Sequence, residues 1–170
     1  MRKATSKIEK ITQKSYMDIW LRSSPRLRML LDILEMATLI GVGLLFPSPR
    51  ISSWWIKIIG IILTSTGIWL HKLSHSIHKQ AHLPKEEIKA LVTNGIYSKI
   101  RHPCYLEIIL YYFGLFLLIG SLGMLILISV FMYILYDSII KEEKYLKKRF
   151  GKEYEGYVKR VPWRFIPKLF

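Results

Sequence analysis

Four stretches of almost unbroken apolar side chains, 29–46, 51–70, 105–119 and 122–140, alternate along the chain with polar, mostly basic segments. None of the four shows the one-sided apolar stripe of a surface helix; each is apolar all round, the pattern of a helix buried in lipid. At 1.5 Å rise per residue, about 20 residues cross the ~30 Å hydrocarbon layer. The second and fourth stretches reach that length and the third falls short. Gly120-Ser121-Leu122-Gly123 is an uncharged tight turn, so the last two stretches form a helical hairpin, and Pro47-Ser48-Pro49 ends the first helix and turns the chain back. The prediction is an all-α integral membrane protein with four transmembrane helices, including a C-terminal helical hairpin, and residues 29–170 as one domain behind a basic segment 1–28.

Charge fixes the orientation. The 170 residues carry 26 Lys and Arg against 12 Asp and Glu, a formal +14. Residues 1–28 and 141–170 each hold +6, leaving +2 for everything between. A nucleic-acid binder would spread such a surplus over one folded face; here it flanks the apolar stretches, which excludes nucleic acid as the partner and suits lipid head groups. The 71–103 connection is basic, and the positive-inside rule puts it in the cytoplasm together with both termini. The N-terminal segment intersperses Ile8, Ile11, Trp20 and Leu21 with basic residues and could lie as an amphipathic helix in the interface. Its polar start predicts no cleavable secretory signal. A lone cysteine, Cys104, excludes a disulfide framework and a cysteine-built zinc site.

Charges within or beside spans are costly and mark function. Asp32, Glu35, Glu107 and Asp137 all fall near the expected cytoplasmic ends, describing a polar chamber at the inner leaflet roofed by 71–103 and 141–170. His71, His75, His78 and His82 follow i, i+4, i+7, i+11 and would share one helix face. They could form an imidazole metal ladder, but no cysteine or paired carboxylate accompanies them in the sequence, and no metal is expected at the site. Taken by helical spacing alone, Glu142 and Glu143 would be a solvated helix face, with Glu143 paired to Lys147 at i, i+4.

Two linked stretches carry the strongest signal. Leu91-Val92-Thr93-Asn94-Gly95-Ile96-Tyr97 and Arg101-His102-Pro103-Cys104-Tyr105 precede the third apolar stretch. Glu142-Glu143-Lys144-Tyr145-Leu146, Phe150-Gly151, Tyr154 and Tyr157 follow the fourth. In order and spacing, over about residues 64–170, they resemble the isoprenylcysteine carboxyl methyltransferase family, with its L-V-x-x-G-I-Y, R-H-P-x-Y and E-E-x-x-L-x-x-x-F-G-x-x-Y-x-x-Y motifs. The resemblance implies a membrane enzyme that binds S-adenosylmethionine in a cytoplasmic pocket and methylates a lipophilic substrate entering from the bilayer. Accordingly, no strand followed by G-x-G-x-x-G occurs in the chain.

By the same resemblance, Lys89, Ala90, Leu91 and Val92 border the adenosine, Tyr97 adds an aromatic wall, and His102, Pro103, Cys104 and Tyr105 form the floor beside the methionine moiety. Glu142 binds its ammonium, and the position of His82 approaches the cofactor; His102, Tyr105 and Glu142 are the catalytic candidates. A doubly cationic cofactor suits a carboxylate and tyrosine faces independently of the resemblance. The chain departs from the family at Ser138, where members that methylate a prenylcysteine carboxylate carry an Arg. Glu107 also replaces a commonly small residue. Glu107, Asp137, Ser138 and Lys141 are therefore substrate-side candidates, with Lys141 a substitute for the missing Arg, and the acceptor is either a prenylcysteine-type carboxylate or a lipid head group such as an amine. The competing reading is a non-enzymatic four-helix membrane protein using the histidine stripe for metal.

Overall fold

The computed structural model describes residues 25–51, 53–78 and 88–168. Among them all regular structure is helical: α1 Pro25–Leu45, α2 Trp54–Ile77, a 3₁₀ turn Gly95–Ser98, α3 Pro103–Ile119, α4 Met124–Phe150 and α5 Lys152–Arg160. The expectations for 1–24, including the interfacial helix, and for His82 lie outside the described residues. Helices α2 and α4 are long and apolar enough to cross a membrane, and α3 is a shorter apolar helix. Only 17% and 28% of the apolar windows of α2 and α4 are buried within the protein. Ile58, Ile61, Ile62, Trp69, Ile126 and Val130 are exposed along them, which fits lipid-facing helices better than the core of a soluble domain.

Small residues let α2 and α3 lie against each other. A Cβ added at Gly60 would stand 2.9 Å from the Gly114 carbonyl oxygen, and one added at Gly114 would strike Thr64. This is how helices associate in lipid, where close van der Waals packing replaces the hydrophobic drive. Leu39 of α1, Tyr112 and Phe116 of α3, and Met124 and Ile128 of α4 close the core.

The two predicted turns meet at one end of the bundle. Ile51 N–H donates to the Gly120 carbonyl (2.8 Å), Leu122 N–H to that of Pro49 (3.0 Å), and the hydroxyls of Ser48 and Ser121 lie 2.7 Å apart. Gly120 takes the left-handed conformation at φ 75° to end α3. At the opposite end the connection meets the tail. Arg101 and His102 N–H groups donate to the carbonyls of Trp163 (2.9 Å) and Arg164 (3.0 Å), and the Tyr157 hydroxyl donates to the Tyr97 carbonyl (2.8 Å). Tyr154, Tyr157 and Val161 form a second small core there, with Leu91, Leu146 and Phe150 against it.

Two helices run past their apolar stretches. α2 continues seven residues beyond Leu70 and carries His71 and His75. α4 continues ten beyond Ile140, because Leu146 and Phe150 keep an apolar edge at i, i+4 that packs on α5.

Candidate functional site

A cavity of about 290 Å³ opens where the connection and tail meet the bundle. Asp32, Glu35 and Met36 of α1 and His71 and His75 of α2 form part of its wall, followed by His78, Ala90, Leu91, Val92 and Tyr97 of the connection. His102, Cys104, Tyr105, Glu107, Tyr111 and Tyr112 come from the start of α3, Glu142 and Leu146 from α4, and Tyr154 and Tyr157 from α5. Both sequence motifs thus wall one chamber, although about 40 positions separate them in the chain.

Of the expected site residues, Ala90, Leu91, Val92, Tyr97, His102, Cys104, Tyr105, Glu107 and Glu142 reach the chamber. Pro103 is buried as the first residue of α3, shaping the floor without lining it. Lys89 is exposed outside the wall. Asp137, Ser138 and Lys141 also lie outside it: Lys141 Nζ pairs with Asp137 at 2.8 Å, and the buried Ser138 hydroxyl donates to the Ile134 carbonyl one turn back (2.7 Å). Lys141 is therefore spoken for by its own helix.

The consecutive Glu142 and Glu143 separate in role because neighbouring helix positions point ~100° apart. Glu142 faces the chamber, and the Tyr105 hydroxyl donates to its Oε2 at 2.6 Å, tying α3 to α4. Glu143 turns the other way. Its Oε1 accepts from Arg101 Nη2 (2.8 Å) and Nε (3.2 Å), from Arg164 Nε (3.1 Å) and lies 3.1 Å from His102 Nε2, while Oε2 accepts from Arg164 Nη2 (2.8 Å). The expected Glu143–Lys147 pair does not form; Lys147 pairs with Glu155 instead (3.1 Å). Arg101 is buried, and its Nη1 donates to the Val161 carbonyl (2.8 Å). Glu143 thus clamps connection, α4 and tail together, and His102 stands in the chamber wall with Nε2 held by the clamp and its ring edge-on to Tyr105.

The four-histidine ladder does not hold as one helix face. α2 ends at Ile77, and His78 sits beyond it against the Tyr97 ring. Burial depresses the His78 imidazole below its ordinary value, and its Nδ1 has no hydrogen-bond partner among the described residues. Burial, with Cys104 beside it, pushes the Tyr97 phenol far above the usual range, so it stays neutral; its hydroxyl lies 3.1 Å from Cys104 Sγ. His71 and His75 turn instead to Glu107, the carboxylate that local sequence could not supply.

An apolar helical bundle with an acidic, tyrosine-lined chamber built from these two motifs is the architecture of a membrane methyltransferase. The phospholipid methyltransferase family model matches residues 55–153, more than half of the chain, and the chain belongs to that family. It is similar to protein-S-isoprenylcysteine O-methyltransferase B of Arabidopsis thaliana, 30% identical over 80% of this chain and 70% of the relative. The Saccharomyces cerevisiae protein-S-isoprenylcysteine O-methyltransferase is 34% identical over 69% of this chain and 54% of its own length. That of Dictyostelium discoideum is 31% identical over 95% and 68%. The chain therefore spans about half to two thirds of the length of these relatives.

Proposed function

We propose that the chain transfers a methyl group from S-adenosylmethionine to a lipophilic acceptor that enters the chamber from the bilayer. The observation that carries this reading is Glu142, held by Tyr105 in the wall of a chamber that both motifs line. The residues present fit the cofactor: Asp32, Glu35, Glu107 and Glu142 make the chamber acidic within a chain of +14, which suits a sulfonium and an ammonium. Tyrosine faces add cation–π attraction. Glu142 would hold the ammonium, Leu91 and Val92 the adenine face, and Tyr97 the aromatic side. When bound, the cofactor supplies a methyl carbon already activated for in-line displacement. The protein's share is then alignment and exclusion of water. Tyr105 fixes the Glu142 carboxylate; the Glu143 clamp fixes His102 and the chamber roof.

The names of the relatives support a prenylcysteine-type carboxylate as acceptor, and a carboxylate is nucleophilic without a general base. The four chamber carboxylates favour a second reading, a lipid head group carrying an amine. Four crossings with the chamber and both termini cytoplasmic complete the proposal, supported by the charge distribution and by the outer turns meeting at the end opposite the chamber. The test is mass spectrometry after incubation with isotopically labelled cofactor and either a farnesylcysteine analogue or amino-lipid vesicles. Label in neither, with folded protein, would overturn the reading.

A further inference from the structure

His71 and His75 stand one turn apart on α2, facing Glu107 of α3. His71 Nδ1 lies 2.8 Å and His75 Nε2 3.6 Å from the same oxygen, Glu107 Oε1, and one ligand atom from each of the three lies within 4.8 Å of the others. The imidazole rings are 4.2 Å apart. Glu107 is buried, and the Ser74 hydroxyl donates to its other oxygen, Oε2, at 3.0 Å. Ser74 therefore orients the carboxylate so that Oε1 is presented to both rings, as the outer partners of metal ligands do.

We propose that His71, His75 and Glu107 bind one divalent transition cation of the zinc type, with a coordination position left open to the chamber. Two imidazoles and a carboxylate are a three-ligand set that keeps a fourth position free, and imidazole donors select zinc, nickel, copper or cobalt over magnesium or calcium. Ligand atoms around a tetrahedral ion at ~2.0–2.1 Å stand about 3.3 Å from one another, so the observed spacings need shifts of under about 2 Å on flexible side chains. Entry is available, because the His71 side chain is half exposed and all three residues line the chamber. The competing account of the same contacts is a hydrogen-bonded cluster that satisfies a buried carboxylate and takes no ion. This proposal does not rest on methyl transfer and is tested without the cofactor.

The full chain, purified without a histidine tag and treated with chelator, is titrated with Co²⁺ and then Zn²⁺. The expected result is one Co²⁺ per chain, with the visible absorption of a four-coordinate ion, displaced by Zn²⁺. His75→Ala and Glu107→Gln should abolish that absorption, and Ser74→Ala should weaken binding about 10- to 100-fold. His78→Ala should leave it intact. If Glu107→Gln fails to fold, His71→Ala, at the most exposed of the three, reads the same question. No saturable absorption in the wild type, or absorption that survives His71→Ala and His75→Ala, would mean a hydrogen-bonded cluster only and overturn the site.

Discussion

Replacing Glu143 and Glu142 one at a time should separate the clamp from the chamber. Glu143→Gln keeps the side-chain shape but removes the charge that faces Arg101, Arg164 and His102. Removing one partner of a buried ion pair costs about 3–5 kcal/mol because the remaining charge is stranded. Arg101 is nearly inaccessible, with 6% of its side chain exposed, whereas Arg164 is 26% exposed and can turn to water; the lower figure, about 3 kcal/mol, is the expectation. In a chain of this size that corresponds to a fall in Tm of roughly 6–12 °C. Glu142→Gln keeps the side-chain shape and leaves an oxygen for Tyr105 to donate to, so its Tm should fall less than that of Glu143→Gln. It removes the charge proposed above to face the cofactor ammonium, an expected loss of roughly 1.5–3 kcal/mol, or about 10- to 150-fold in affinity. Thermal unfolding in detergent reads the first effect, and calorimetric titration with S-adenosylmethionine reads the second. A Glu143→Gln protein as stable as wild type, or a Glu142→Gln protein that binds cofactor as tightly, would refute the division of roles between the two carboxylates.

Tyr105→Phe should weaken cofactor binding less than Glu142→Gln does, since it only frees the carboxylate to turn; equal losses in calorimetry would make the hydroxyl itself a ligand. Gly120→Ala should destabilise by about 2–4 kcal/mol, because the added Cβ both strains a left-handed residue and collides with the Ile51 carbonyl, and an unchanged Tm would contradict the turn-to-turn contact. Cysteines at Pro47 and Leu122, exposed in the two outer turns, should label only from the side opposite a cysteine at Lys99; labelling of all three from one side would sink the four-crossing topology. His78 binds its proton less readily when folded than the ordinary ~6.5 of an unfolded imidazole, so the unfolded chain takes up more protons as pH falls through that value and stability drops. Between pH 7.5 and 5.5 the Tm of His78→Gln should therefore fall less than that of wild type, and an equal fall would show that other groups carry the slope.

The helices were legible because hydropathy is a local property. All four apolar stretches became helices, and the turns at Pro47–Pro49 and at Gly120 fell where proline and glycine put them. The helix ends were less legible, because α4 runs on through Glu142, Glu143 and Lys144 on the strength of Leu146 and Phe150, whose partners are on α5 and in the connection. Within the site, most residues transferred from the motifs reached the chamber, and so did Glu107 and the histidines of the stripe that fall among the described residues, whereas Asp137, Ser138 and Lys141 did not. Ser138 and Lys141 sit one turn and one residue from Glu142, yet neither lines it. Spacing says which residues share a face and leaves open what that face meets.

The same limit explains Glu143 and the histidines. Lys147 is a legitimate i, i+4 partner for Glu143, worth about 0.2–0.5 kcal/mol on an exposed helix. Two guanidiniums, one from the connection and one from the tail, displace it, because they approach a partly buried carboxylate through short, charge-assisted bonds. Arg101 and Arg164 lie 42 and 21 residues from Glu143, beyond the reach of any periodicity. Glu107 is likewise 36 residues from His71, and without it the histidine stripe is a run of polar residues leaving a membrane. The basic ends and the acidic chamber follow from one division. Most Lys and Arg residues stand outside the apolar stretches. Arg101, which lines the chamber, and Arg164 share the single carboxylate of Glu143, which offsets part of their charge and holds both guanidiniums. A neutral residue at 143 would therefore do more than loosen the fold: with Arg101 released beside His102, the chamber's attraction for a cationic ligand should fall as well, and cofactor affinity in Glu143→Gln, measured well below its lowered Tm, should drop in the same direction as in Glu142→Gln but by less.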